Sequence, residues 1–275
     1  MSLGERFPRI RQFLARRWVR RGLKAVAILF GLFMLGVAII WLLFARDLPS
    51  VEQLKSYEPA LPTYVRGADG LPVQSYARDR LVELSYAEYP PMMVRAILAA
   101  EDRTFFEHHG VDYPGLAGAV IDYVSKIGSG RRARGGSTIT QQVAKNLLIG
   151  AEYSKTRKIK EAILAWRIED ALSKERILEL YLNTIPLGRN AFGVEAAAQA
   201  YFDKELDELT LAQFAYLAIL PKGPANYEPR RHTERALERR DWVLSEMLRN
   251  GFATEAQVAA ARAEPLGAVL RRTPK

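Results

Sequence analysis

The arrangement of apolar and polar residues separates an N-terminal segment from the rest of the chain. Ala25 to Phe44 is an unbroken apolar run of 20 residues, and a helix of that length spans about 30 Å, the hydrocarbon thickness of a bilayer. The apolar part of a secretory signal peptide is usually shorter, about 7–15 residues. We therefore predict a retained transmembrane helix at 25–44, in preference to a cleaved signal peptide or a buried core helix.

The charge distribution gives this helix a direction. Residues 1–24 contain eight basic residues and one acidic residue, which accounts for +7 of the net charge of +9. Cytoplasmic flanks of membrane helices are rich in Lys and Arg, so we predict a basic cytoplasmic tail at 1–24 and an external location for the chain after about residue 45. Because the other residues carry only +2, the basic excess does not indicate a nucleic-acid-binding domain.

Two short strand-like runs follow the apolar segment. Thr63–Arg66 and Pro72–Tyr76 flank Gly67-Ala68-Asp69-Gly70, a pattern that predicts a β-hairpin with a turn rich in Gly and Asp. Ser85, with Glu three residues later, is typical of a capping box. We assign residues 45–89 to a linker that contains this hairpin.

From Pro91 onward the pattern is that of helices almost throughout. Capping-box sequences at Thr210 and Thr254 mark two helix starts. Hydrophobic residues make up 49% of the chain and cysteine is absent, so the chain can bury a core but cannot form a disulfide or a thiolate metal site. We predict a mainly α domain at 90–252, followed by a C-terminal helix and linker at 253–275.

The first stretch with candidate chemistry runs from Glu101 to Gly110. Two adjacent carboxylates fall at a predicted helix end, beside two aromatics and two histidines. A carboxylate that is partly desolvated by aromatic rings has a raised pKa, which suits a general acid or base. The alternative is a solvated acidic helix end with Phe105 and Phe106 in the core.

The second stretch, Gly135 to Asn146, is a glycine-rich turn that enters a helix with Ser and Thr at its start. Such a start presents free backbone N–H groups, which bind anions and above all phosphate. Gln141 and Lys145 are four residues apart, so we expect them to share a helix face. The alternative is an ordinary helix cap; the sequence is not a Walker loop.

The third stretch contains Arg157 and Glu161, which are also four residues apart and face the same way on a helix. The alternative is a surface ion pair, which contributes only about 0.3–0.5 kcal/mol. Two later stretches, Lys174–Asn183 and Arg239–Leu244, are interpreted as packed helices that support a site.

Together these five stretches resemble the signatures of a known family. Glu-Asp-x-x-Phe-x-x-His-x-Gly, Gly-x-Ser-Thr-x-x-Gln-Gln, Arg-Lys-x-x-Glu, Lys-x-x-Ile-Leu-Glu-x-Tyr-Leu-Asn and Arg-x-x-x-Val-Leu occur in this order over about residues 90–250. They are similar to the peptidoglycan glycosyltransferases, the family shared by monofunctional transglycosylases and class A penicillin-binding proteins. The resemblance implies a lysozyme-like, mainly α domain with a small membrane-associated lobe at Tyr113–Ile127. For that lobe, an interfacial helix and an amphipathic helix packed on the core both remain open.

The resemblance also implies a reaction and roles for individual residues. The family polymerises lipid II into β-1,4 glycan strands by inverting displacement of undecaprenyl pyrophosphate. Glu101 would be the general base, and Glu161 would stabilise oxocarbenium charge or position the leaving group. Lys145, Arg157 and Ser137 would hold the pyrophosphate. The predicted substrate-binding set is Asp102, Phe105, His108, Ser137, Thr138, Gln141, Gln142, Lys145, Asn146, Arg157, Lys158, Lys160 and Asn183.

Cofactors, partners and location follow from the same resemblance. We expect no required cofactor and no metal ligands, and leave a divalent cation, Mg²⁺ or Mn²⁺, open. The expected partners are lipid II, the nascent glycan strand, the cytoplasmic membrane and cell-wall elongation or division proteins. The expected location is the outer face of the cytoplasmic (inner) membrane. Moenomycin, the phosphoglycolipid that typically inhibits this family, is the expected inhibitor.

Two positions depart from the family pattern. Gly118 stands where the family often has an arginine, and Tyr153 stands where a basic residue often precedes the third signature. Both positions are associated with gripping the lipid-linked phosphates. Either other basic residues substitute for them, namely Lys155, Arg131, Arg132 or Arg134, or donor binding is weaker than usual.

Two other function classes remain as alternatives. A lysozyme-like lytic enzyme also centres on a glutamate, but it acts on neutral glycan and needs no cations for pyrophosphate. A catalytically weak, membrane-anchored cell-wall scaffold is the second alternative, supported by Gly118. The chain has no Ser-x-x-Lys sequence, yet its Thr254–Glu264 helix resembles the approach to a transpeptidase domain, so we expect such a domain to follow in the natural protein.

Overall fold

The computed structural model describes residues 17–46, 48–55, 57, 63–66, 72–76, 80–81, 83–126, 135–150 and 156–269. The predicted hairpin turn, most of the basic tail and residues Arg131, Arg132, Arg134, Tyr153 and Lys155 lie outside this set. The chain divides into two compact units, residues 1–48 and residues 49–275.

In its described residues, the first unit contains one long helix, α1 (Arg17–Ala45), of 29 residues. It contains the predicted span at 25–44 and extends by two turns into the basic tail, because Arg and Lys are good helix formers. Its large apolar side chains are exposed, for example Phe30 at 63% and Leu42 at 70%. Among the described residues, it is the one helix long and apolar enough to cross a membrane.

The second unit begins with a short helix, α2 (Glu52–Lys55), and the predicted hairpin. Strand β1 (Thr63–Arg66) pairs antiparallel with β2 (Pro72–Tyr76), with Thr63 opposite Tyr76. This confirms the hairpin prediction.

A small second sheet connects the start of this unit to its middle. Strand β3 (Arg80–Leu81) pairs in parallel with β5 (Ala191–Phe192), which pairs antiparallel with β4 (Pro186–Gly188). Next along the chain, the Leu84 N–H donates to Asn183 Oδ1 over 3.0 Å. The segment before residue 90 is therefore joined to the helical domain by a strand pairing and a hydrogen bond.

The rest of this unit confirms the mainly α prediction. Its helices are α3 (Pro91–Glu101), α4 (Tyr113–Ser125), α5 (Ile139–Val143), α6 (Arg157–Ala171), α7 (Lys174–Thr184), α8 (Val194–Phe202), α9 (Leu211–Leu217), α10 (Thr233–Arg249) and α11 (Glu255–Ala263). A π-helical turn, Ala144–Ile149, continues α5. Short 3₁₀ turns lie at Tyr86–Glu88, Leu206–Glu208, Leu220–Lys222 and Pro224–Tyr227. The predicted capping boxes at Ser85, Thr210 and Thr254 are present.

The core holds the C-terminal end of α3 against the other helices. Helix α3 packs on α9 and α10, while α5 packs on α6 and α7. Met93 and Ile97 on α3 and Leu164 on α6 have no exposed surface, and burying each such side chain is worth about 1.5–3 kcal/mol. This packing fixes the last turn of α3, where the first candidate carboxylate lies.

Candidate active site

Glu101 is the last residue of α3, so the predicted carboxylate at a helix end is confirmed. Its side chain is partly buried, and its Oε2 accepts a hydrogen bond of 2.8 Å from Gln142 Nε2. Burial raises the pKa of Glu101, while the Gln142 bond and the charges of Lys222 and Arg239 oppose that rise. The carboxylate is therefore a stronger base than an ordinary glutamate, provided that it keeps access to a substrate.

Asp102, the next residue, differs from Glu101 because its carboxylate is buried and bonded to other parts of the protein. It is 7% exposed and its Oδ2 accepts from the Ile139 N–H over 2.9 Å. His108 Nε2 lies 3.0 Å from the same oxygen. Asp102 therefore fixes the turn after α3 to the start of α5.

Gly110 brings this turn close to a third helix. Its φ is +77°, and a Cβ at this position would lie 2.8 Å from the carbonyl carbon of Ala165 in α6. An L side chain is disfavoured at this φ and would collide with α6. The Thr138 hydroxyl donates to the Gly110 carbonyl over 2.7 Å, so the turn is held between α5 and α6.

The start of α5 differs from the prediction of free backbone donors. The Ile139 N–H is bonded to Asp102, and the Gln141 N–H donates to Thr138 Oγ1 over 3.2 Å. Gln141 Oε1 in turn accepts from the Thr138 N–H over 3.1 Å. Three of the predicted donors, the N–H groups of Thr138, Ile139 and Gln141, are therefore already occupied by a protein carboxylate and a capping box. Thr138 and Gln141 are buried capping residues here.

Lys145 and Asn146 lie half-buried in the π-helical turn, a distortion that often marks functional sites. The prediction that Gln141 and Lys145 share a face assumed a regular α-helix. In the structure the Gln141 side chain turns back to its cap, whereas Lys145 interacts electrostatically with both Glu161 and Glu101. Burial lowers the pKa of Lys145, and these two carboxylates oppose the change.

Glu161 lies in the first turns of α6 and is 1% exposed. Arg157 Nε is 3.1 Å from Glu161 Oε1 and Lys158 Nζ is 2.5 Å from Oε2. Lys158 Nζ also donates to Ser137 Oγ over 2.8 Å. The predicted Arg157–Glu161 pair is confirmed, and its carboxylate is buried, so the alternative of a surface ion pair is wrong. Lys160 is half-buried on the same helix.

Some predicted site residues belong to the core instead. Phe105 has no exposed surface, and Lys174 Nζ lies 4.4 Å over its ring. Asn183 is 2% exposed and its amide bonds the backbone of Leu84 and the hydroxyl of Tyr89. Side chains so deeply buried have no surface for a substrate, so both residues support the site from behind.

Three residues near Glu101 were not predicted as site residues. The Tyr181 hydroxyl donates to Gln142 Oε1 over 3.4 Å. Arg239 stacks on Trp242, 3.6 Å from the ring centroid, and Lys222 precedes Gly223 in a 3₁₀ turn. Tyr181 and Arg239 lie in the two stretches that the sequence predicted as packed helices, and no local pattern could have assigned them or Lys222 to Glu101.

The described residues contain no group of three or more His, Asp or Glu side chains placed to hold a metal ion. Instead, the two candidate carboxylates, Glu101 and Glu161, each lie near cationic side chains. This donor set suits acid–base chemistry beside an anionic group.

Comparison with known proteins agrees with the five signatures. A family model described as Transglycosylase matches residues 69–248. Penicillin-binding protein 1A of Rickettsia felis is 43% identical over 232 residues, which is 84% of this chain and 29% of that protein. Penicillin-binding protein 1A of Escherichia coli K12 is 44% identical over 222 residues, covering 81% of this chain and 26% of that protein. The chain thus spans less than a third of the length of these relatives.

Among solved structures, the crystal structure of penicillin-binding protein 1A from Haemophilus influenzae is 27% identical in sequence, with a TM-score of 0.43. That match covers 78% of this chain and 22% of the other. The assignment rests on the family model, which spans most of the chain, together with the sequence identity to curated relatives. The chain belongs to the transglycosylase family of peptidoglycan glycosyltransferases.

Proposed function

We propose that the chain polymerises lipid II into β-1,4 glycan strands at the outer surface of the cytoplasmic membrane, with Glu101 as the general base. The observation that carries this proposal is the environment of Glu101. Its carboxylate is partly buried, has a raised pKa and is bonded by a neutral amide. Such a carboxylate is desolvated and still able to accept a proton.

The chemistry is displacement at the anomeric carbon of the lipid-linked donor sugar. The 4-hydroxyl of the acceptor GlcNAc attacks this carbon from the face opposite the pyrophosphate, so the configuration inverts. The new C–O bond forms as the bond to the pyrophosphate breaks, and Glu101 takes the hydroxyl proton. The lipid pyrophosphate departs with the electron pair of the broken bond, as in inverting glycosidases with an alcohol in place of water.

The departing pyrophosphate needs cations, and the cluster around Glu161 supplies them. Lys145, Arg157 and Lys158 all lie within the electrostatic reach of this carboxylate. Because Glu161 is buried and paired with two cations, it is suited to hold them in place for the leaving group. Of its two predicted roles, the structure favours positioning of the leaving group over contact with the oxocarbenium carbon.

Two apolar surfaces support a membrane location. Helix α1 has the length and composition of a membrane span. Helix α4 exposes most of its large apolar side chains: Tyr113, Leu116, Val120, Ile121, Tyr123 and Val124 are 43–70% exposed. Of the two interpretations for α4, this exposure favours an interfacial helix over a helix packed on the core.

The alternatives find less support. A lytic enzyme acting on neutral glycan has no need for the cations gathered at Glu161. The scaffold reading rests on Gly118, but this residue lies on α4 where a Cβ would meet no atom within 4 Å. The absence of an arginine at 118 therefore leaves the carboxylates and the cations at Lys145 and Arg157 unaltered.

The test is polymerisation of purified lipid II in detergent, comparing wild type with Glu101→Gln, with and without moenomycin. We expect wild type to form moenomycin-sensitive strands and Glu101→Gln to lose about 10²- to 10⁴-fold in rate, the usual contribution of a general base. Glu107→Gln is the matched control, since this exposed glutamate lies in the same turn and should retain wild-type activity.

The variant should also remain folded. Folding raises the pKa of Glu101, so its ionisation destabilises the folded state above that pKa, and the neutral Gln should melt no lower than wild type. Unchanged polymerisation by Glu101→Gln would remove Glu101 as the base. Bound but unpolymerised lipid II in the wild type would favour the scaffold alternative, and release of short glycan fragments would favour the lytic one.

A further inference from the structure

Tyr181 is connected to Glu101 through a single side chain. Its hydroxyl donates to Gln142 Oε1 over 3.4 Å, and the other end of the same amide, Nε2, donates to Glu101 Oε2 over 2.8 Å. Tyr181 lies on α7, Gln142 on α5 and Glu101 at the end of α3. One chain of hydrogen bonds therefore crosses three helices and ends on the carboxylate.

The amide must keep one orientation for this chain to work. A carboxylate accepts hydrogen bonds and does not donate them, so the NH₂ end of Gln142 has to face Glu101. The carbonyl end then faces Tyr181, whose hydroxyl is its donor at this part-buried position. Tyr181 is 1% exposed, and burial raises the pKa of its hydroxyl well above the ordinary value. It remains a protonated donor throughout the working range of the enzyme.

We propose that Tyr181 is a positioning residue for the glycosyl transfer: by bonding the Gln142 carbonyl it holds the amide against Glu101 Oε2 and leaves Oε1 to take the acceptor proton. This inference rests on the proposed function of Glu101 as the base. The hydroxyl itself does not touch substrate. Its effect reaches the reaction through the angle and position of the Glu101 carboxylate.

The hydrogen bond also affects the pH at which Glu101 works. The groups whose charge acts on Glu101 come from several elements: Asp102 beside it, Lys145 in the π-helical turn, Lys222 in the 3₁₀ turn and Arg239 on α10. Gln142 is the neutral member of this set and lowers the pKa of Glu101 by its bond. When that bond weakens, the pKa of Glu101 rises further, so the fall in rate on the acid side moves to higher pH.

A double-mutant cycle in the whole protein tests this relay, that is, the hydrogen bonds that run from Tyr181 through Gln142 to Glu101. The variants are Tyr181→Phe, Gln142→Met and the double variant, and kcat, KM and the pH profile are measured with lipid II. We expect Tyr181→Phe to lower kcat about three- to tenfold, which corresponds to the loss of one net hydrogen bond. KM should be unchanged, and the acid limb of the rate profile should move to higher pH. The double variant should match Gln142→Met alone, because both changes break the same chain.

Tyr201→Phe is the matched control. Tyr201 is also 1% exposed and its hydroxyl donates to the Leu187 carbonyl over 2.9 Å, away from Glu101. Tyr201→Phe also removes a hydrogen bond donated by a buried tyrosine, so a purely structural effect would appear as a lower melting temperature in both tyrosine variants. Only Tyr181→Phe should change kcat and the acid limb.

Three outcomes overturn the inference. They are wild-type kcat and pH profile for Tyr181→Phe, an unmoved acid limb for Gln142→Met, and additive losses in the double variant. An unmoved acid limb for Gln142→Met overturns the inference even if Tyr181→Phe does not fold. Glu101→Gln is measured in parallel. If Glu101→Gln is inactive while Tyr181→Phe has wild-type activity, only the proposed role of Tyr181 fails. If Glu101→Gln is active, the proposed function of Glu101 fails as well.

Discussion

The two candidate active-site glutamates lie in opposite environments. Glu101 keeps part of its surface exposed and is bonded by the neutral amide of Gln142. Glu161 is 1% exposed and lies between Arg157 and Lys158. The sequence places Glu101 beside a second carboxylate and aromatic residues and Glu161 beside basic residues. The structure adds that a neutral amide bonds Glu101 directly, whereas two cations pair with Glu161.

This difference indicates how the environments of the two glutamates suit proton transfer in one case and the holding of cations in the other. A desolvated carboxylate without a directly bonded cation has a raised pKa and takes up protons readily. A buried carboxylate paired with two cations holds them in place, and its removal would leave their charges uncompensated. The first environment therefore suits proton transfer, and the second suits the holding of Lys145, Arg157 and Lys158 for an anionic leaving group.

The largest effect that sharpens this contrast is expected from Glu161→Gln. Arg157 and Lys158 lose their common partner and should no longer be held for the pyrophosphate. We expect about a hundredfold lower kcat/KM, mainly through a higher KM, which is about 2.7 kcal/mol. Steady-state kinetics with lipid II measure it, with Glu175→Gln, an exposed glutamate on α7, as control. A loss confined to kcat would mean that Glu161 acts in the chemical step.

A third carboxylate, Asp102, provides a purely structural comparison. Asp102→Asn keeps the shape of the side chain but weakens its bonds to the Ile139 N–H and to His108. We expect a loss of about 2 kcal/mol in the free energy of unfolding, since buried hydrogen bonds to charged groups contribute about 1.5–3 kcal/mol. Chemical denaturation measures it. An unchanged stability would remove Asp102 as the link between α3 and α5.

A smaller effect concerns the charges around Glu101. Lys222 lowers the pKa of Glu101, so Lys222→Gln should raise that pKa and move the acid limb of the rate profile to higher pH. Because Lys222 is exposed, solvent screens its charge and the displacement should be small. Lys204→Gln is the control and should leave the limb unmoved. A displacement to lower pH would contradict the assigned sign.

The smallest effect is expected at Gly118. An arginine side chain would meet no neighbouring atom at its Cβ, and replacing a helical glycine favours the helix by about 0.5–1 kcal/mol. If this position grips lipid-linked phosphate, Gly118→Arg should lower KM about twofold, as an exposed charge contact does. Gly118→Ala separates the helix effect from the charge effect. Equal KM values for the two variants would exclude the phosphate contact.

The features that the sequence predicted correctly are those set by local spacing. The helix end at Glu101, the hairpin at Thr63–Arg66, the capping boxes at Thr210 and Thr254 and the Arg157–Glu161 pair all depend on residues a few positions apart. Each follows from the geometry of a single turn of helix or a single pair of strands. Tertiary packing did not override these preferences.

The features that the sequence did not predict depend on contacts between distant segments. Asp102 caps α5 from 37 residues away, and Tyr181 reaches Gln142 from 39 residues away. The π-helical turn at Ala144–Ile149 removes Lys145 from the register of a regular helix. Since these arrangements are fixed by how helices pack, no pattern within one segment reports them.

The most direct test of the division between Glu101 and Glu161 is the pH dependence of kcat/KM, measured with lipid II for wild type, Glu101→Gln and Glu161→Gln. The acid limb of this profile reports the pKa of the essential base in the free enzyme. We predict that the limb persists in Glu161→Gln at reduced height and disappears in Glu101→Gln. A limb that disappears in Glu161→Gln and persists in Glu101→Gln would contradict the account and assign the proton transfer to the other glutamate.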